Sequence, residues 1–374
     1  MTLWLIIMWT ALILTGIALV YVSNRVCQFG CIKCLTKDNE KYKAMIGGGI
    51  VFGLFAIVAW WLNFVNAIVC IIYFALAWLI CDLLLCFISR LRGKPFEHYY
   101  AGGLALIISL SILAYGWYLN HHVWQTNYTL HTEKNVKPLK IALFADSHIG
   151  TTFDASGFAE HMAKIQQQNP DVIIIAGDFV DDNTTRNDML SAVKTLGEMQ
   201  TTYGVYFVFG NHDKGYYAAS YRGFSGAELI TALKQNNVHV LQDEIKLLDN
   251  NFYIIGRRDY SVEKEHRGKR QTMSELVQNL DKDKYMIVVD HQPADYKSQA
   301  TAEVDLVLSG HTHGGQLFPF NYVGQWIGAN DRIYGYEKRR KTDFIVTSGL
   351  SDWAIRFKTG TKSEYVIITL QPQN

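Results

Sequence analysis

The chain has 374 residues, 49% of them hydrophobic and 18% charged, enough for more than one domain. A net charge of +1 excludes a broad polyanion-binding surface, so nucleic acid is not an expected partner. The charge is unevenly spread: before residue 121 there are four acids (Asp38, Glu40, Asp82, Glu97) and eight Lys/Arg, leaving 30 acids and 27 bases for the rest, the balance of a water-facing domain.

Residues 3–22 run without a charge and are long enough to cross a bilayer. No basic stretch precedes this run and no small-residue cleavage site follows it, so it reads as a retained helix. Residues 44–62 and 67–88 are two further spans joined by a minimal turn, and 101–119 is the fourth. The loops 23–43 and 89–100 carry all eight basic residues of this region, whereas the N-terminus and the 63–66 turn carry none. The positive-inside rule then places both basic loops in the cytoplasm and everything after residue 120 outside it.

Asp82, inside the third span, admits a functional or a helix-packing role. All six cysteines (27, 31, 34, 70, 81, 86) lie in this part of the chain, so no disulfide is expected to hold the remainder. The spacing of Cys27, Cys31 and Cys34 matches an iron–sulfur motif, but a short basic loop offers no barrel around it, and reduced thiols are the expectation.

Alternation over 123–131 suits a half-exposed strand. The apolar run 139–145 ends in Asp146-Ser147-His148. A helix over 156–168, stopped by Asn169-Pro170, leads to a strand over 172–176 that ends in Gly177-Asp178. A helix over 187–200 precedes a strand over 205–209 and Gly210-Asn211-His212-Asp213. After a helix over 226–235, short strands read at 238–241, 245–248 and 252–255. The strand 286–289 is followed by Asp290-His291, and the strand 304–308 by Gly310-His311-Thr312-His313-Gly314-Gly315-Gln316. Runs at 345–347 and 365–370 close the chain.

Five times an apolar strand ends in a polar turn, and strand–helix alternation places such turns along one edge of a sheet. The turns supply Asp146, His148, Asp178, Asn211, His212, His291, His311 and His313. Carboxylate, imidazole and amide donors without thiolate suit Mn, Fe, Co, Ni or Zn. These are too many ligands for one ion; two ions sharing a carboxylate would acidify a bridging water and clamp a phosphoryl group.

Asp146-x-His148, Gly177-Asp178-x-x-Asp181, Gly210-Asn211-His212-Asp213, His291 and Gly310-His311-x-His313 together resemble the signature of the calcineurin-like metallophosphoesterase superfamily, in particular its bacterial membrane-anchored branch. The resemblance covers about residues 123–374. It implies an α/β fold, a two-sheet β-sandwich flanked by helices, here following an N-terminal four-helix transmembrane region. It further implies that Asp146, His148 and His313 bind one metal, that Asn211, His291 and His311 bind a second, and that Asp178 bridges them. His212 would donate to the phosphoryl oxygen or leaving group, with Asp213 orienting its imidazole. Asp181 reads as a helix-start cap.

The expected organisation is a four-span transmembrane anchor over 1–120, a linker and first strand over 121–138, and a metallophosphoesterase domain over 139–374. The expected activity is hydrolysis of a phosphodiester, pyrophosphate or lipid-linked phosphate with two divalent ions, manganese first and iron or zinc as alternatives. A phosphomonoesterase acting on soluble substrates, or a membrane protein whose metal domain is structural or regulatory, are the other readings. The run Lys338-Arg339-Arg340-Lys341 reads as a solvated loop more readily than as a contact to anionic lipid, and so do the basic stretches at 257–258 and 267–270. Arg356 would hold either a substrate phosphate or an internal carboxylate. The sequence leaves oligomeric state open.

Overall fold

The computed structural model describes residues 2–264 and 268–373. It divides into two compact units, Met1–Trp117 with Ala354–Phe357, and Tyr118–Trp353 with Lys358–Asn374.

In the first unit the long helices are α1 (Thr2–Val26), α3 (Glu40–Trp61), α4 (Phe64–Arg92) and α5 (Tyr100–His121), with a short α2 (Gly30–Leu35) between the first two. All four long helices are long and apolar enough to cross a membrane. The turn joining α3 to α4 is closed by Asn63, whose side chain accepts the Asn66 N–H at 2.9 Å and caps α4. Asp82 makes packing contacts: its Oδ2 lies 2.9 Å from Arg25 Nε and accepts the Tyr21 hydroxyl at 2.9 Å, tying α4 to α1. The cysteines are free thiols; Cys27 is buried with Sγ on the Lys43 carbonyl, while Cys31 and Cys34 face outward. The unit also takes in residues 354–357, whose Ala354 carbonyl accepts from both Asn63 and Asn66 side chains at 2.9 Å.

The second unit is a pair of six-stranded sheets. The first has the order β1-β12-β2-β3-β4-β5, built from β1 (Val123–Thr132), β2 (Leu139–Phe144), β3 (Val172–Ile175), β4 (Val205–Val208), β5 (Val238–Leu241) and β12 (Ser363–Pro372). The second has the order β10-β11-β9-β8-β7-β6, built from β6 (Glu244–Leu248), β7 (Phe252–Gly256), β8 (Tyr285–Val289), β9 (Leu306–Ser309), β10 (Gly335–Arg339) and β11 (Thr342–Val346). Strands β2 to β5 run parallel, as do β7, β8, β9 and β11.

Side chains alternate along each strand, and the alternation explains why the runs are apolar throughout. Leu139, Ile141 and Leu143 of β2 point into a core shared with Phe252, Ile254, Ile287, Leu306 and Ile345 of the other sheet. Ala142 and Phe144 point outward against helices α6 (Ala155–Gln166), α7 (Arg186–Gly197) and α9 (Gly226–Gln235). The outer face of the second sheet is covered by α11 (Met273–Val277) and α12 (Tyr296–Thr301) through Met273, Leu276 and Tyr296. The result is a sandwich with helices on both outer faces, as expected. Short helices α8 (Ala219–Arg222), α10 (Ser261–Lys264) and α13 (Val323–Trp326) lie in the connections.

Two local expectations are corrected. The cap of α7 is Thr185, which accepts the Asp188 N–H, and not Asp181. The basic run 338–341 is a strand and hairpin turn: Lys338 and Arg339 end β10, an edge strand, and Arg339 is held by Glu337 and Asp331. Charged side chains on such an edge discourage pairing with another chain.

Candidate metal centre

Because β2, β3 and β4 are parallel, their C-terminal turns emerge side by side, and β8 and β9 deliver theirs from the other sheet. The turns are laced together by backbone bonds: Asp146 N–H to Gly177 O, His148 N–H to Asp178 O, and Gly310 N–H to His291 O. Asp146, His148, Asp178, His311 and His313 all have positive φ, between 37° and 73°. None is a glycine, so each stores strain that ordinary turns avoid. Glycine is needed next to them: a Cβ on Gly177 would lie 2.7 Å from His291 Nδ1, and one on Gly310 would lie 2.6 Å from Asp146 Oδ2.

Two groups of ligand-type atoms result. Asp146, His148 and His313 bring donors within 4.8 Å of one another, and so do Asp178, His291 and His311. Asp178 stands between the groups, its Oδ2 lying 3.1 Å from His291 Nε2 and 3.8 Å from His148 Nε2. Asn211 is alongside; its Nδ2 donates to the Tyr216 hydroxyl at 2.8 Å, which leaves the buried Oδ1 without a partner.

Three imidazoles are held by Nδ1. His148 Nδ1 lies 3.2 Å from Asp181 Oδ2, His291 Nδ1 lies 2.7 Å from the Ala176 carbonyl, and His313 Nδ1 lies 3.1 Å from the Ser351 carbonyl and 3.0 Å from Asp352 Oδ1. Their Nε2 atoms are thereby turned to the cluster, and those of His148 and His291 are buried without a hydrogen bond. Fixing one ring nitrogen so that the other presents a lone pair is how proteins prepare imidazole for metal. The residues present fit two divalent ions.

The charges agree. Burial alone would lower His148, but the Asp181 bond and the Asp178, Asp181 and Asp146 charges lift it to about 9. Burial likewise opposes protonation of His291, and the Asp178 carboxylate outweighs it. Burial also works against the charged form of Asp178, but the surrounding histidines, His291 foremost, hold it well below the usual carboxylate range. A bound cation would compete with these protons for the same nitrogens.

His212 reaches the same centre. Its ring packs between Tyr216 and Trp353, with centroids at 4.9 and 5.1 Å, and lies 5.1 Å from the His148 ring. Burial lowers it to about 4, so it is a neutral imidazole at ordinary pH.

Asp213 does not orient that imidazole, contrary to expectation. Its carboxylate accepts the backbone N–H of Asp178, Phe179, Val180 and Gly210 at 2.8–3.1 Å, and His212 Nδ1 has no partner. It ties the β3 turn to the β4 turn and so acts by positioning. Burial and the Asp178 charge push it up to about 7 against the pull of those N–H bonds.

Asp181 and Asp352 are the partners that sequence reasoning missed as such. Asp352 also lies 3.3 Å from Lys358 Nζ, and Lys358 is fully buried. Arg257 and Arg270, expected on the surface, are buried against Asp290 at 2.8 and 2.9 Å and brace the residue before His291. Arg267 lies outside the described residues. Arg356 falls in the first unit, where its backbone N–H donates to Asn66 Oδ1.

The Calcineurin-like phosphoesterase family pattern matches residues 139–315. A metallophosphoesterase of Aquifex aeolicus is 30% identical over 272 residues, 71% of this chain and 98% of that protein. One of Campylobacter jejuni is 27% identical over 312 residues, 81% of this chain and 78% of its own. A transmembrane protein with metallophosphoesterase domain from Danio rerio is 30% identical over 247 residues, 64% of this chain and 54% of that protein.

Proposed function

The chain belongs to the calcineurin-like phosphoesterase family and is a metal-dependent phosphoric ester hydrolase, and from that premise we propose which residues do what and on which substrate. Asp146, His148 and His313 hold one ion, Asn211, His291 and His311 the other, and Asp178 bridges. The observation that carries this is the position of Asp178 Oδ2, within 4 Å of Nε2 atoms from both groups. Manganese is the first ion to try, with iron or zinc as substitutes, since a carboxylate, amide and imidazole donor set without thiolate accepts all three.

A bound ion pair supplies acidified water and neutralises charge on a phosphoryl group. The residues around it do the rest. His212, neutral and packed between Tyr216 and Trp353, donates its ring N–H to a phosphoryl or leaving-group oxygen. Asp213 keeps the Asp178 and Asn211 turns in register. Asp181 holds the tautomer of His148 and the Ser351 carbonyl that of His313, with Asp352 adding negative charge beside it.

Four apolar helices associate the chain with a membrane, and a domain organised as anchor (1–120) and catalytic domain (139–374) suits a membrane-linked phosphodiester, pyrophosphate or lipid-linked phosphate. The basic loops favour a catalytic domain outside the cytoplasm. A reporter fused after the last residue that is active only in the cytoplasm would reverse that orientation.

The test of the reaction uses the full chain in detergent, loaded with Mn, Fe or Zn. Metal-dependent turnover of an activated phosphodiester is expected, with His212→Ala losing about 10²–10⁴-fold in rate while retaining two ions. A metal-replete chain that turns over no mono-, di- or pyrophosphate ester would leave the centre structural or regulatory.

A further inference from the structure

The segment leaving the His313 turn is built inside out. From Thr312 to Asn330 there is no Asp, Glu, Lys or Arg. Phe318, Phe320, Tyr322, Trp326 and Ile327 are all at least half exposed, Trp326 at 75%, while Asn321 among them is 8% exposed. A loop selected to face water puts its aromatics in and its amide out.

Looseness does not explain the exposure, because both ends are pinned. At one end Thr359 and Gly360 donate backbone N–H groups to Gln316 O at 2.8 and 3.0 Å. At the other, Asp331 N–H donates to Pro293 O at 2.7 Å and Asp331 Oδ2 accepts the Tyr296 N–H at 3.0 Å. Between the pins the chain makes two short helical turns, Phe320–Tyr322 and Val323–Trp326. The aromatic side chains are therefore displayed on a fixed backbone.

A contiguous patch of this kind marks an interaction surface. Its makeup of Trp, Tyr and Phe with no charge is that of residues at the headgroup level of a bilayer. A bilayer is at hand: four helices are fit to cross one, and a single residue, His122, separates the end of α5 from the start of β1. The basic hairpin turn at 340–341 belongs to a different face, since β11 starts there and runs parallel to β9, whose other end carries His311.

We propose that residues 317–328 form a lipid-docking loop that seats its aromatic side chains in the headgroup–acyl boundary of the membrane holding the chain. The proposal is independent of the phosphoesterase reading. It adds one consequence to that reading: because the loop springs from His313, a phosphoester carried at the lipid surface is met at the ligand turns.

The experiment uses the full chain in phosphatidylcholine liposomes containing a lipid with a photoactivatable acyl chain, with adducts mapped by mass spectrometry after irradiation. Adducts are expected on the fragment carrying 317–328 as well as on the four long helices. Phe320→Ser with Trp326→Ser should reduce the loop adducts at least about fivefold and leave those on the helices unchanged. Labelled helices beside an unlabelled wild-type loop would overturn the proposal, as would loop adducts undiminished in the double variant. Neither outcome depends on turnover, so failure here is separable from failure of the catalytic assignment.

Discussion

The two ligand clusters use the same kinds of side chain but are held by different surroundings. In the first, His148 backs onto the Asp181 carboxylate, and His313 onto the Ser351 carbonyl with the Asp352 carboxylate 3.0 Å away. In the second, His291 backs onto the Ala176 carbonyl, and burial first, then the His291 charge, holds His311 well below the usual imidazole range against the pull of Asp178. A carboxylate behind an imidazole makes it a stronger donor and adds negative charge to the site. The two positions are therefore not equivalent, and the expectation to test is that the first holds an ion more tightly than the second.

The largest effect should come from the residue both clusters share. Asp178→Asn removes the charge between them, and activity should fall at least about 10²-fold with metal content dropping from two ions per chain to one or none. Mass spectrometry of the metals together with a phosphodiester assay reads both quantities. Full metal content in this variant would mean that the clusters do not share Asp178.

Next comes the contrast itself. Asp181→Asn is the cleaner variant, since Asp352→Asn would remove the counter-charge of Lys358, fully buried beside it. Metal titration of Asp181→Asn should show one site weakened by about 10–100-fold and the other unchanged. Equal weakening of both sites would erase the distinction drawn between them.

Acidity should blur the contrast, because each cluster contains one imidazole whose protonation is favoured. His148 is raised from 6.5 to about 9, so the metal-free fold gains stability from its proton below pH 6.5 and loses that gain as pH rises through about 9. A thermal-melting series in chelator should show this decline and the metal-loaded chain should not. An ion displaces the proton, so calorimetry in buffers of different ionisation enthalpy should find proton release at pH 7. A flat melting profile in chelator would argue against the carboxylate-backed histidine.

How far the sequence carried this picture follows from which facts are local. Four apolar runs and five strand-end turns are local, and the helix read at 226–235 is α9 to the residue. Strand β10 was not legible because its charged, alternating side chains serve an edge with β11 as its one neighbour. The role of Asp213 was misread because adjacency to His212 says nothing about direction; its carboxylate turns to backbone groups some 33–35 residues away. Asp352 has no fixed spacing from His313, and the positive φ of five ligand residues carries no glycine to announce it.

The smallest effect serves as the control for all the others. Ser225 and Glu228 form a reciprocal capping box at the start of α9, bonded to each other and to Arg186 and not to a ligand side chain. Ser225→Ala should lower stability by about 1 kcal/mol, read by denaturant unfolding, with both metal affinities and turnover unchanged. Glu228 is held down to about 2 by the Arg186 bond and the Ser225 donors. Its contribution is therefore present above about pH 4.5 and fades as pH falls towards 2. If so mild a loss of stability also halved metal content, the effects of Asp181→Asn would have to be read as loosening of the fold, and the asymmetry between the clusters would lose its support.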